Sequence, residues 1–534
     1  MSKQKESFLD SQTVIALVLI LLAWWAWDSY MKRKYPKHFN KNPITRVEKN
    51  KQDLDLKEEK PRLQQITKEQ EVWFKGEKME VLFSSKGLGI KKLKLKKYFD
   101  RNQKPIIFKP ENETLFSSVV FGETIPFQVE KKENIFIGKF SSSYATITKK
   151  IEVQEEDFAL NVKTEIEPFE NKEIESFSLS FSHKLPQEKT SGFLKMFLIY
   201  GMDILKGFLI YEGKEEKRIF EKDLLVCGKK SNDFCKQSSS ETLVDVPIYN
   251  NTSVVALGGK YFGKAFVNKS ELLPLSQLSK KKNRAEAVIK YDFLHSKKQN
   301  LEYTIFLGPK SLKSLEALGG GLNEWLDFGF FSWMARPILL FLVWLQNICH
   351  NWGLAIILLT FVIRLLLLPI NIKSYNSMKV MQKIQPELKQ LRETHKSDPK
   401  KMNQEVMSLM KKHKANPLGG CLPMFIQLPV FFALYRVLGE SIELYQSPFI
   451  GWIYDLSLKD PYFVFPILGG LVLFAQQTIT PMNLPKEQAR LIKAMPLVFT
   501  IFMLNLPSGL SLYIFISGLF GLVQQLFFVR LSKS

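Results

Sequence analysis

The long apolar runs of this chain are almost free of negative charge. Segments 14–27, 422–438, 462–480, 491–506 and 510–529 contain neither Asp nor Glu. Cysteine is scarce too, with four in 534 residues. No C-x-x-C occurs and no His/Cys group has zinc spacing, so no structural metal is expected. The absence of G-x-x-x-x-G-K-[ST] removes the P-loop nucleotide site. Of six histidines, His350 stands near the apolar runs, and nothing pairs with it by motif. An intramembrane enzyme therefore has neither a nucleophile–base pair nor metal ligands. No catalytic residue and no cofactor is expected. Cys227 and Cys235 either form one disulfide, if their block is extracytoplasmic, or stay free thiols.

Against this background stands Arg364. It lies in Gly353-Leu-Ala-Ile-Ile-Leu-Leu-Thr-Phe-Val-Ile-Arg364-Leu-Leu-Leu-Leu-Pro369-Ile, which is long and apolar enough to span a bilayer. A guanidinium near the middle of a span costs roughly 2.5–3.5 kcal/mol on insertion scales. It keeps its proton, and the other apolar segments offer it no carboxylate. Three readings remain open. It faces a water-filled cavity, its counter-ion arrives on a substrate, or it snorkels to the nearer interface.

The chain is 45% hydrophobic, with 42 Phe, and 24% charged, with a formal net charge of +22. These averages combine a polar, Lys-rich block and a nearly continuous apolar one. Lys3 and Lys5 precede the apolar run Val14–Trp27, and no small-x-small site follows it. Trp24, Trp25, Trp27 and Tyr30 form an aromatic belt instead. Residues 1–31 are thus expected to be a cytoplasmic N-terminus and an uncleaved anchor. Residues 32–71 are dense in Lys, Glu, Gln and Asn and read as a flexible linker. From 72 to 310, short runs alternate polar and apolar, as in Phe158-Ala-Leu-Asn-Val-Lys-Thr-Glu-Ile and Ile174-Glu-Ser-Phe-Ser-Leu-Ser-Phe. That period predicts an antiparallel β-sandwich. Residues 311–350 bridge to the apolar block. Leu312, Leu315, Leu318, Leu322, Trp325, Leu326 and Phe330 recur at helical spacing. They predict an amphipathic interfacial helix; the alternative is a last helix packed on the β-domain.

Five spans are expected in 351–530, at about 353–372, 421–439, 462–480, 491–506 and 509–529, and the anchor makes six. The fold class is a polytopic α-helical membrane protein carrying a large β-sandwich extracytoplasmic domain. Loop 373–420 is rich in lysine, loop 481–490 carries Lys486 and Arg490, and the tail 531–534 carries Lys533, close after Arg530. Loop 440–461 carries Lys459 against Glu440, Glu443, Asp455 and Asp460. The positive-inside rule places both termini and the lysine-rich loops in the cytoplasm. Loop 373–420 reads as a helical hairpin: one helix from about Ser374 to Thr394, a second starting at Asp398-Pro399. Its lysines either set topology or contact RNA, anionic lipid or a nascent chain.

Asn351-Trp-Gly-Leu-Ala-Ile-Ile, Thr360 and Arg364 with Pro369, Asn416-Pro-Leu-Gly-Gly-Cys-Leu-Pro423, Gln427-Leu-Pro429, Asp455-Leu-Ser457, Met495-Pro496 and Pro507-Ser-Gly-Leu-Ser-Leu-Tyr513 together resemble the YidC/Oxa family of membrane protein insertases. The resemblance covers roughly 350–530, and the β-rich block resembles the Gram-negative-type members. It implies a five-helix core around a hydrophilic groove with Arg364 as its positive charge. It implies an inner-membrane protein that inserts nascent membrane proteins, alone or with the Sec translocon. The implied partners are the lipid bilayer and the ribosome, through the hairpin and tail, and not DNA. Candidate groove residues are Thr360, four before Arg364 on one helix face, then Gln427, Tyr513 and Ser517. Gln476, Gln477, Asn505, Ser511 and Gln524 are further polar positions, and ordinary interhelical hydrogen bonding is the alternative for each. The family often has two adjacent tyrosines in the last span. Here Ile514 follows Tyr513, leaving Tyr513 to cover part of that role. The rival reading is a secondary transporter or channel using Arg364 for an anionic substrate. A transporter should show paired halves with broken helices, and no repeat is visible among the spans.

Overall fold

The computed structural model describes residues 69–531, apart from 101, 111–113, 171, 173, 186–205, 213–214, 220–224, 227–235, 240–241, 246–247, 282–283, 294–297, 396–397, 414–421 and 480–485. The anchor at 14–27, nearly all of the linker, Cys227 and Cys235, Asn416–Cys421 and most of the tail lie outside the described residues.

Period-two patterning becomes sheet. In strand Arg284–Asp292, Ala285, Ala287, Ile289 and Tyr291 point inward and are fully buried, while the residues between them are partly exposed. Among the described residues, a nine-stranded antiparallel sheet is centred on Gln299–Pro309, with Phe262–Asn268 on one side and Ala159–Pro168 on the other. A second sheet pairs Ser176–Lys184 with Arg284–Asp292. The two share one apolar core, which includes Phe177, Phe181, Phe266 and Tyr303. Val254–Gly258 is buried on both faces. A four-stranded sheet over 71–108 completes the domain.

Alternation also drives Lys149 inward. It is fully buried between Ile147 and Ile151. Its Nζ donates to the carbonyls of Gly87, Leu88 and Phe116 at 3.1, 3.1 and 3.2 Å. Those three residues have φ of 66°, 41° and 56°, which turns their carbonyls toward the ammonium. Burial pushes the Lys149 pKa down to about 7.

The bridge divides differently from the expectation of one interfacial helix. Helix α1, Leu312–Leu318, is short, and Gly319, Gly320 and Gly321, all at positive φ, end it. Leu312, Leu315, Leu318, Leu322, Trp325 and Leu326 are buried, so this half packs as the last turn of the β-domain. Phe330 is exposed. Helix α2, Ser332–Cys349, buries Ala335, Leu339, Leu342 and Leu345 and exposes Trp333, Leu340, Trp344 and Ile348. With its preceding turn it is also long and apolar enough to cross a membrane.

His350, in a left-handed conformation, turns the chain into α3, Trp352–Lys383, capped by the Asn351 side chain. This helix runs unbroken through the predicted boundary at Ser374. The break falls at Ile384, because Pro386 cannot donate to Gln382. Helix α4, Gln385–Thr394, and α5, Pro399–Lys412, follow, and Asp398 caps α5 by accepting from Lys400 and Lys401. The hairpin buries Ile384 and Leu388 against Val406, Leu409 and Met410. Then come α6, Leu422–Glu440; α7, Val464–Ile479; α8, Lys486–Met503; and α9, Ser508–Leu531. Among the described residues, α3 and Ser508–Phe528 are also long and apolar enough to span, while Val464–Ile479 and Ala494–Met503 are apolar but shorter.

The β-domain and the helices meet at loop 441–446. Tyr445 donates its hydroxyl to the Phe99 carbonyl, and Gln446 Nε2 donates to the same oxygen at 3.0 Å. The Tyr445 ring lies 4.9 Å from that of Tyr261 and 5.5 Å from that of Phe262. Glu443 is half-buried there and accepts the Leu312 N–H, and its partial burial raises its carboxyl pKa. Gly353 packs so tightly on Phe449 that an added Cβ would lie 1.9 Å from the ring. The β-domain end of the bundle is therefore closed by packed apolar side chains, including Ile453, Leu456, Leu506 and Leu510.

Candidate functional site

Arg364 projects from the middle of α3 toward α9. Its Nε and Nη2 donate to the Ser517 hydroxyl at 3.0 and 2.8 Å. A single neutral oxygen thus receives one edge of the guanidinium. Helices α3, α7 and α9 contain no Asp or Glu. Arg436 near the β-domain end of α6 differs, since Glu440 lies 3.9 Å away, one turn later on the same helix. The charge of Arg364 is thus uncompensated among the described core residues, and its side chain is half-buried.

One turn before Ser517 on α9, Tyr513 is buried, and its hydroxyl accepts from Gln427 Nε2 of α6. Arg364, Ser517, Tyr513 and Gln427 therefore form one polar cluster linking three helices. Tyr513 serves it from behind, as a buried support. Ile514 is buried as well. Thr360 does not join. Its hydroxyl donates to the Ile356 carbonyl at 2.6 Å, the usual back-bond of a helical threonine, and the side chain is fully buried. Asn505 stands apart from the cluster, near the β-domain end, where it accepts from Lys459 at 2.9 Å. Ser511 is buried in the first turn of α9.

From α7, Gln476 Nε2 donates to the Gly518 carbonyl at 2.8 Å. Gln525 Nε2 reaches back to the Gln476 carbonyl at 3.4 Å. Toward the hairpin, Asn371 Nδ2 donates to Gln524 Oε1 at 3.4 Å. Asn371 follows Arg364 by seven residues, two turns along the same face, and that period was its available signal in the sequence. Gly521 lets α9 pack closely against these side chains. A Cβ there would lie 2.5 Å from Gln476 Nε2, 3.3 Å from Arg364 Nη1 and 3.5 Å from Arg364 Nη2. Nothing in the sequence singled out Gly518 or Gly521.

Residues 71–341 match the family model described as the YidC periplasmic domain, and residues 344–534 match that of the 60Kd inner membrane protein. A Membrane protein insertase YidC of Geotalea daltonii is 34% identical over 468 residues, 83% of each chain. The chain belongs to the YidC family. A YidC of Geotalea uraniireducens is 49% identical over 225 residues, 42% of this chain and 43% of that one. A solved structure titled as an active YidC insertase with its first transmembrane domain resolved covers 86% of this chain and 92% of its own, at 16% identity and a TM-score of 0.38. The β-domain described above is thus the YidC periplasmic domain, and the helical part is the inner-membrane domain of the family. The Arg364 cluster lies wholly within the second.

Proposed function

We propose that this chain inserts membrane proteins into the inner membrane, and that Arg364 receives acidic segments of the incoming chain. The observation that carries the reading is the guanidinium on Ser517, with no Asp or Glu in α3, α7 or α9. A charge held this way costs the empty protein free energy, and a carboxylate on a substrate recovers it. No bond is made or broken. A polar translocated segment would approach Arg364 from the hairpin side, because apolar side chains fill the β-domain end. A hydrated path over part of the span shortens the distance it crosses in hydrocarbon.

In this reading Ser517 orients the arginine, and Gln427 and Tyr513 brace the helices that hold it, with Thr360 packed one turn away. The hairpin and both termini are cytoplasmic, by the lysine distribution. The hairpin and tail are then placed to meet a ribosome, and the helices to meet the bilayer and the Sec translocon. The test is crosslinking of a stalled nascent membrane protein to a photoreactive residue placed beside Arg364. Crosslinks that appear only with the stalled chain support the reading. Their absence in a folded, membrane-integrated protein refutes it, and anion flux across vesicles in its place would favour a channel or transporter.

A further inference from the structure

Residues 447–463 form the second half of the connection from α6 to α7, at the β-domain end of the helices, and their charges are folded back on the protein. The charged residues there are Asp455, Lys459 and Asp460. Asp460 is buried, and its carboxylate accepts from Trp452 Nε1 at 3.0 Å, the Tyr462 N–H at 3.1 Å and the Phe465 N–H at 2.8 Å. Asp455 Oδ1 accepts the Ser457 N–H at 2.8 Å. Lys459 Nζ donates to Asn505 Oδ1, in the turn before α9, at 2.9 Å. Ile453 and Leu456 are buried toward the bundle.

The outer side of this loop is apolar and aromatic. Ile450 is 61% exposed, Tyr454 79%, Tyr462 68% and Phe463 41%. They are held out by a folded loop: the Phe449 N–H donates to the Ile453 carbonyl and the Leu456 N–H to the Ser447 carbonyl, both at 3.0 Å. Large apolar side chains exposed as a group mark an interaction surface. What adjoins them identifies the occupant. The Phe463 carbonyl accepts the Ile467 N–H as the chain enters α7, and Ile467, Leu471 and Phe474 are exposed along one face of that helix. In a membrane helix such a face meets lipid tails, and the loop continues it toward the headgroups. Tyr454 and Tyr462 suit that depth, since each has an apolar ring and a polar tip.

We propose that loop 447–463 is an interfacial anchor, which sets Ile450, Tyr454, Tyr462 and Phe463 into the boundary between headgroups and acyl chains of the periplasmic leaflet. The partner is the phospholipid surface itself. Apolar contact draws the loop there, so no anionic lipid is needed. At this depth the side chains remain reachable from the periplasmic side. The anchor is independent of the role given to Arg364.

The experiment uses the full-length protein with its four native cysteines replaced by serine. Ile450→Cys, Tyr454→Cys and Tyr462→Cys each carry one nitroxide label, in phosphatidylcholine vesicles. Leu471→Cys gives the lipid reference, and Phe169→Cys, at an exposed apolar residue of the β-domain, gives the water reference. Power saturation compares collisions with oxygen, which concentrates in lipid, and with a water-soluble nickel chelate. The oxygen-to-nickel ratio at 450, 454 and 462 should lie well above that at 169 and at or below that at 471. Adding phosphatidylglycerol should not change it. Ratios equal to that at 169 would mean that the loop stands in water, and would overturn the proposal. Labels shielded from both probes would mean that protein covers the loop, which overturns it as well. A ratio that rises only with phosphatidylglycerol would replace apolar contact by charge and refute the anchor as stated.

Discussion

Arg364→Ala should separate acidic substrates from neutral ones. Ser517 supplies the guanidinium with neutral hydrogen bonds alone, so the charge is available to whatever enters. Two unit charges about 4 Å apart attract by about 4 kcal/mol at an effective dielectric of about 20. Removing the carboxylate from water takes back part of this, leaving about 1.5–3 kcal/mol for a charge-assisted contact. Insertion of a substrate with one acidic residue in its tail should therefore slow by about 10- to 100-fold in the alanine variant. A neutral-tailed substrate should change little. Arg364→Lys should retain substantial activity, since it keeps the charge and loses the fork. Arg364→Glu should be worst for acidic tails. The fold should not suffer, because an uncompensated charge is removed and the freed Ser517 hydroxyl can donate to its own helix. The assay is insertion into inverted vesicles of one short substrate with its tail charge varied, alongside protein level and melting temperature. Equal loss for acidic and neutral tails, or loss that follows falling protein level, would refute the electrostatic role and leave Arg364 as a packing residue.

Cysteines placed in 373–420 and 481–490 should resist an impermeant thiol reagent in intact cells, while those in 100–300 and 441–460 should react; labelling of the hairpin from outside would reverse the topology. Deleting about 60–300 while keeping the anchor and 311–350 should leave insertion largely intact but lower the melting temperature, because Tyr445 and Gln446 lose their partners at Phe99 and Tyr261. A stable deletion variant that inserts nothing would show an essential role for the β-domain. The β-domain should gain stability as pH rises above about 7, since burial holds Lys149 near that value while the unfolded chain keeps the proton to about 10.5. Below pH 7 both states are protonated and this contribution is flat. Hydrogen exchange in the strands around 145–154 measures it, and the dependence should vanish in Lys149→Met.

Period-two alternation made the β-domain legible, and the burial of residues 284–292 follows it at every position. The same alternation places Lys149 inside, where composition alone reads Lys149-Lys150 as a solvated pair. Arg364 was legible because a charge in an apolar run is expensive wherever the run folds. Ser517 was legible as a polar groove candidate, but its pairing with Arg364 was not, since it lies 153 residues away and meets the arginine only through the packing of α3 on α9. Thr360 shares a helix face with Arg364, yet a threonine can satisfy its hydroxyl on its own helix, and spacing does not report which acceptor it takes. The unbroken helix through Ser374 was missed because charged residues there mark the exit from the membrane, and leaving the membrane does not require leaving the helix. Gly518 and Gly521 escaped because a glycine contributes by the atoms it lacks, and those gain meaning only when Arg364 and Gln476 are seen beside them.

The continuity of α3 also makes it a depth gauge. Lys373, Lys379 and Lys383 continue the same rod that carries Arg364. Their ammonium groups belong in water or among lipid headgroups, so the rod cannot sink past Lys373 without cost. Nine residues separate Lys373 from Arg364, a fall of about 14 Å at 1.5 Å per residue. A hydrocarbon layer about 30 Å thick has its middle about 15 Å down. With the lysines at the waterline, a helix upright in the bilayer would carry the guanidinium close to the midplane, where, in the function proposed above, a passing carboxylate would meet it halfway across.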